Sequence, residues 1–267
     1  MASSEKEKLP RALHEPPTPI NELPVVLAST SPSRLSILRS AGVEPVVVAS
    51  GVDEDAVIRE LEQAVGAVSP TQVVAALAQA KAQAVIEELG QVRSQNAVQI
   101  GNEQALSRDG LNLRQPAILI GGDSMLLIDG ELQGKPHTAE ETVKRWRNQR
   151  GKTAELLTGH AVFHRTGLGA NESMGVLSQP AWSQEPYVEV STTRIAFAEA
   201  SDADIEAYAE TGEPFGCAGA FTLEALGGWF IDRIEGDPSS VIGLSLPVVR
   251  RALTHFGYPA SATWNRV

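Results

Sequence analysis

The sequence predicts an α/β domain built on a mixed sheet. Short apolar, β-branched runs alternate along the chain with stretches of helical periodicity, which is the pattern of strands covered by helices. Asp-Gly and other glycine-rich turns join some neighbouring strands directly, and such hairpins do not occur in an all-parallel sheet. Ser-Pro pairs and a Thr-x-x-Glu box mark the helix starts. With 267 residues, 42% of them hydrophobic and 21% charged, the chain has ordinary globular composition and enough apolar side chains for a proper core.

In chain order, residues 1–22 are dominated by Glu, Lys, Ser and Pro without periodicity, so a flexible tail is expected there and a single domain over 23–267. Pro24 to Ala28 reads as a buried strand. Ser31 is placed to cap a helix, Pro32 fits its first turn, Leu35, Leu38 and Ala41 recur at helical spacing, and Gly42 stops it. Pro45 to Ser50 reads as a second strand leading into "GVDEDAV". Ser69 and Pro70 open a long helix expected to reach about Leu89. The polar stretch 91–115 lacks periodicity and is expected to be a surface insertion.

"PAILIGGDSMLLIDGELQGKP" then reads as a buried strand ending at Asp123, followed by a hairpin turning on Asp129 and Gly130. Thr138 and Glu141 form a capping box for a helix that stops at Gly151. Strands near 154–164 and 187–197 flank a second insertion, rich in Gly, Ser and Asn, near 165–184. Ser201 and Asp204 open a helix closed by Gly212, "GGWFIDRIEG" supplies a late strand, and "PVVRRALTHFG" is the last helix.

A formal net charge of −11 argues against sequence-independent binding to nucleic acid, which needs a basic face. The single cysteine, Cys217, excludes an internal disulfide and a cysteine-based zinc site. No apolar run approaches the ~20 residues of a membrane span, and the N-terminal stretch lacks the apolar core of a signal peptide, so a cytoplasmic location is expected. GxGxxG, HExxH and GxSxG do not occur, and "GELQGKP" fails as a P-loop because Pro136 stands where Ser or Thr would hold magnesium.

Five features carry candidate chemistry. The first strand feeds a capped helix whose N-terminus holds Ser29, Thr30, Ser31, Ser33 and Arg34, an arrangement that suits either an ordinary strand-to-helix turn or a phosphate site. Glu54 follows the second strand. Lys81 falls on the apolar stripe of Val74, Leu77, Ala84 and Val85, where it either snorkels, pairs with a structural carboxylate, or points at bound phosphate. Asp123 lies behind two glycines, which let backbone approach a ligand, at a strand end where open α/β sheets place their sites; the alternative is a turn residue. Lys135 lies between Gly134 and Pro136 near the end of the hairpin, where solvated lysines are common. Cations with a carboxylate pair suit a metal-bound polyphosphate, with Glu54 and Asp123 as metal ligands.

This ordered set resembles the Maf (septum formation) family of nucleoside triphosphate pyrophosphatases. The matching stretches are "LASTSPSRLSILRSAGV", "VDED", "LAQAKAQA", "GGDSMLLIDGELQGKPHTAEE", "TGHAVF", "TTRIAF", "GEPFGCAGAFTLEALGGWFIDRIEGD" and "VIGLSLP", in family order. The resemblance implies a mixed-sheet, two-lobed Maf/inosine-triphosphatase-like fold with a central cleft. It also implies hydrolysis of a nucleoside triphosphate to the monophosphate and pyrophosphate with a divalent cation, Mg or Mn. By position Asp123 resembles the proton acceptor, and Ser29, Ser31, Arg34, Glu54, Lys81 and Lys135 fall on other cleft positions. Glu224 stands where many members carry glutamine, Cys217 where they carry lysine, and Ser33 where they carry the first of two arginines. These departures bear on base preference and on affinity. The competing readings are a nucleotide-binding regulator of cell division with little turnover, and the same fold acting on another phosphorylated substrate. A homodimer is a candidate assembly.

Overall fold

In the computed structural model, residues 23–99, 107–108, 111–112, 115–167 and 181–265 are described. The tail expected over 1–22 and the middle of the insertion near 165–184 lie outside them.

The chain runs β1 (Val25–Ala28), α1 (Pro32–Ser40), β2 (Val46–Val47), α2 (Glu54–Val65), α3 (Pro70–Gln99), β3 (Ser107–Arg108), β4 (Leu111–Asn112) and β5 (Ala117–Ile128). It continues through β6 (Glu131–Gln133), α4 (Ala139–Gln149), β7 (Thr153–Arg165), β8 (Tyr187–Phe197), α5 (Asp202–Glu210), β9 (Ile231–Glu235), α6 (Pro238–Ile242) and α7 (Leu246–His255). Seven strands make one sheet in the order β2-β1-β5-β7-β8-β9, with β6 also on β5. β1 is parallel to β2 and β5, and the other pairs are antiparallel, so the sheet is mixed as expected.

Local chemistry sets the element ends. Ser31, Thr138, Ser201 and Ser245 each accept a backbone N–H three residues on and cap α1, α4, α5 and α7. Ser69 and Gln72 cap α3 reciprocally, Gln72 Oε1 accepting from the Ser69 N–H at 2.9 Å and Ser69 Oγ from the Gln72 N–H at 3.3 Å. Asp129 and Gly130 take φ of 53° and 84° in the β5–β6 turn, the left-handed pair that a two-residue hairpin requires.

Two expectations need correction, and one helix was not anticipated. α3 continues past Leu89 to Gln99, into the stretch expected to be an insertion; Gly90 costs helix stability but does not end a run of otherwise helix-permissive residues. The acidic run after the second strand begins α2, capped by Asp53. Finally, β5 does not end at Asp123. It continues five residues further because β7 pairs with it from Ala117 to Leu127.

That long strand joins two lobes. In one, Ile118 and Ile120 pack against α1 and α7, while Ala117 and Leu119 pack against Ala78, Ala82 and Val85 of α3. In the other, Leu126 and Ile128 join Trp146 of α4 and Ile205 and Tyr208 of α5. Trp146 is fully buried, meets Phe197 and Phe230 edge-on at 5.5 Å, and donates its indole N–H to the Ala220 carbonyl at 2.7 Å. Between the lobes, α3 crosses the sheet at two glycines. A β-carbon on Gly121 would lie 2.3 Å from the Ala78 carbonyl oxygen, and one on Gly159 would lie 2.2 Å from that of Val74. The glycines before Asp123 therefore do not both face a ligand: Gly121 admits a helix, and Gly122 lies against Arg34. Among the described residues no helix is long and apolar enough to cross a membrane.

Gly121→Ala should cost at least about 2 kcal/mol in urea denaturation, because the methyl group meets backbone that has no rotamer to yield. A variant within about 0.5 kcal/mol of the parent would show that α3 can move away from β5.

Candidate active site

Lys81 projects from the buried face of α3 and is itself 9% exposed. Its ammonium lies 2.5 Å from Asp123 Oδ1 and 2.7 Å from Glu54 Oε1. The cation on an apolar stripe thus has two carboxylates, from a helix start and a central strand. Burial pushes the Asp123 carboxyl above the usual carboxylate range, against the pull of Lys81 and Arg34. Glu54 is exposed; what burial it has pushes its carboxyl up, but the hydrogen bond and charge of Lys81, with Lys135 and Arg34, outweigh this and hold it low. Two carboxylates sharing one lysine therefore diverge, the buried one more basic and the outer one more acidic.

Arg34 sits on the other face of β5. Its Nε donates to the Gly243 carbonyl at 2.8 Å, Nη1 to Ser29 Oγ at 3.2 Å and Nη2 to Ser124 Oγ at 3.1 Å. Burial lowers its pKa while Asp123 and Glu54 raise it, and a guanidinium keeps its charge in such a site. Ser124 in turn meets Thr158 Oγ1 at 3.1 Å, and Thr158 donates to the Ser240 carbonyl at 2.9 Å. Consecutive β5 side chains thus hold opposite walls: Asp123 grips Lys81 and Ser124 grips Arg34.

Both faces reach one cleft because β5 lacks a strand partner along part of one edge. β1 pairs with β5 as far as Gly121, and β6 begins pairing at Leu126. Gly122 to Met125 line the gap, on the edge opposite β7. Asp123 is therefore not at its own strand's end; it lies two residues beyond the end of β1. The cleft is open to solvent. Ser31, Arg34, Glu54, Lys81, Asp123, Lys135 and Glu224 all line it. Ser29 does not. It is buried behind Arg34, accepting from that guanidinium and from the Ser31 N–H, because the strand directs it under the helix start rather than into the opening.

The outer wall is the 213–228 segment. Glu213 accepts hydrogen bonds from the Thr222 hydroxyl, the Tyr208 hydroxyl, and the Leu226 and Gly227 N–H groups, which fold the segment back on itself. A β-carbon on Gly227 would meet Thr222 backbone at 2.5 Å, so the return is possible only with glycine there. Glu224 projects from this wall, exposed, with a carboxylate oxygen accepting its neighbour Leu223's N–H at 3.1 Å. Cys217 is held as a thiol, its pKa raised to about 11 by burial and by Glu224 and Glu213. It is no nucleophile at neutral pH. Sequence reasoning missed Ser124, Thr222, Glu213 and the Gly243 carbonyl. Of these, Ser124 was open to inference, since the residue after a strand-borne site carboxylate faces the opposite wall.

The model of the family described as Maf-like protein matches residues 24–256. The chain belongs to the Maf-like protein family. It is 55% identical over 241 residues to a protein of Corynebacterium diphtheriae, covering 90% of this chain and 98% of that one. To a relative from Corynebacterium efficiens it is 54% identical over 242 residues, covering 91% and 99%. To one from Rhodococcus opacus it is 48% identical over 240 residues, covering 90% and 95%. All three relatives bear the name nucleoside triphosphate pyrophosphatase.

Because the folded Asp123 carboxyl is more basic than the unfolded one, its contribution to stability is complete below the unfolded pKa and lost as pH rises through the folded pKa. Asp123→Asn should therefore melt higher than the parent at pH 7, with the gap closing as the pH falls toward about 4. A lower Tm for the variant at pH 7 would mean that pairing with Lys81 outweighs burial.

Proposed function

We propose that this Maf-like protein is a nucleoside triphosphate pyrophosphatase that attacks its substrate at the α-phosphorus. The observation that carries the reading is the buried Asp123, paired with Lys81 beside Glu54 and Arg34, in an open cleft of a chain whose relatives bear that name. A water oxygen bonds to the α-phosphorus while the bond from that phosphorus to the α,β-bridging oxygen breaks, and pyrophosphate leaves. Asp123 takes the water's proton. A carboxylate made more basic by burial suits that task, and Lys81 keeps it ionised and aimed. Arg34, fixed by three acceptors, offers a preorganised charge to phosphoryl oxygens without reorganising. Lys135 is exposed at the cleft mouth and meets the β- or γ-phosphate.

Glu54 and Asp123 would hold the divalent cation, magnesium or manganese. Both bond to one ammonium, so their oxygens converge, and one or two carboxylates completed by water and phosphate oxygens are what such an ion takes. Among the described residues no cluster of three or more His, Cys, Asp or Glu offers an all-protein cage. Bound there, the cation would neutralise charge developing on the departing pyrophosphate. Glu224, which as a carboxylate can only accept from a base edge, is the candidate for base discrimination. A cytoplasmic address is part of this reading, supported by the single cysteine and the nucleotide substrate.

A panel of nucleoside triphosphates incubated with magnesium or manganese should yield monophosphate and pyrophosphate in equal amounts, and Asp123→Asn should lose on the order of 10²–10⁴ in kcat. Orthophosphate as the product would overturn the reading. Tight nucleotide binding without turnover would instead favour a nucleotide-binding regulator, and near-normal pyrophosphate release by Asp123→Asn would move the base to Glu54.

A further inference from the structure

The turn that presents Lys135 contains a non-glycine residue with left-handed backbone. His137 lines the cleft and has a φ of 63°, one of three non-glycine residues with positive φ among those described. Its neighbours bracket it tightly. The Thr138 N–H donates to the Pro136 carbonyl at 2.8 Å across His137, closing a three-residue turn of the strained, positive-φ kind. Pro136 is buried, Thr138 caps α4, and the His137 N–H donates to the Phe215 carbonyl at 3.3 Å, tying the turn to the outer wall. Glycine would occupy this position without strain, whereas histidine does so at a cost, and strain of this kind persists where a side chain is needed.

The charges of the cleft indicate the need. Arg34, Lys81 and Lys135 are matched one for one by Glu54, Asp123 and Glu224, leaving the lining formally neutral in a chain of net charge −11. A triphosphate brings several negative charges into that site. Beyond those three cations, His137 is the one lining side chain able to add positive charge, and its imidazole offers an N–H donor in every protonation state.

We propose that His137 is a further substrate-binding residue that contacts the polyphosphate tail beside Lys135, and that its left-handed backbone is the means of presenting it. The inference rests on the proposed pyrophosphatase reading for its substrate but not for its ligand class, which is any linear polyphosphate. His137→Gly and His137→Leu should each raise KM for the triphosphate about three- to tenfold with a smaller change in kcat, and weaken binding of inorganic tripolyphosphate, measured by calorimetry with magnesium, by a similar factor. His137→Gly should melt no lower than the parent, so that stability and affinity move apart, and His137→Arg should restore tripolyphosphate binding. Unchanged KM and tripolyphosphate affinity in the glycine and leucine variants would overturn the proposal, as would a fall in the Tm of His137→Gly that accounts for its loss of binding. If the parent protein releases no pyrophosphate yet binds tripolyphosphate through His137, the pyrophosphatase reading fails and this one stands.

Discussion

Everything in the site depends on how closely α3 lies against the sheet. At Gly121 and Gly159 the helix backbone approaches to a distance that no β-carbon would permit. This places Lys81, one turn beyond Ala78, over the strand residue that follows the glycine pair. Lysine has a long and entropically expensive side chain, and a few ångströms of extra separation would return it to solvent. The glycines thus convert a packing fact into an electrostatic one: a buried carboxylate that keeps a cation within hydrogen-bonding distance. Asp123 is more basic than an ordinary aspartate because burial exceeds what Lys81 and Arg34 give back.

A second constraint is the interruption along one edge of β5. A complete sheet would have separated Lys81 and Arg34 on opposite faces, each blind to the other. With β1 stopping at Gly121 and β6 starting opposite Leu126, the strand edge opens and the two faces share one cleft. The cost of holding charge there is met by thorough hydrogen bonding. Arg34 donates to three oxygens, and the Ser124–Thr158–Ser240 chain ties its far wall to α6. His160, fully buried with Nε2 accepting the Ser245 N–H at 2.8 Å, anchors the start of α7 beneath the same wall; burial lowers its pKa to about 4, so it stays neutral.

Much of this was legible in the sequence because it was written in local chemistry. Caps at Ser31, Thr138 and Ser201, the Asp-Gly hairpin and the apolar runs each act over a few residues, and each produced its element. Lys81 stood out because a charge on an apolar stripe has to be accounted for. What escaped was non-local. β5 was expected to stop at Asp123 because a polar residue after Gly-Gly looks like an end, but strand length is set by pairing with β7, which lies thirty or so residues away along the chain. Ser29 looked like one hydroxyl among several at a helix start, and only the tertiary position of Arg34 turns it inward. α2 was missed although Asp53, Glu54 and Gly66 marked its ends; it has no fully buried residue. The role of Glu213 has no sequence signature, because its four donors are assembled by a loop folding back on itself.

Asp123 is a buried carboxylate made basic by its surroundings and restrained by Lys81. Carbon-13 NMR titration of the Asp123 side-chain carboxyl, in the parent protein and in Lys81→Met, addresses it without reference to turnover. The carboxyl should titrate above the ordinary 3.8 in the parent and shift further upward once the ammonium is removed, since Lys81 favours the ionised form. A carboxyl that titrates at or below 3.8, or that does not respond to the loss of Lys81, would contradict it.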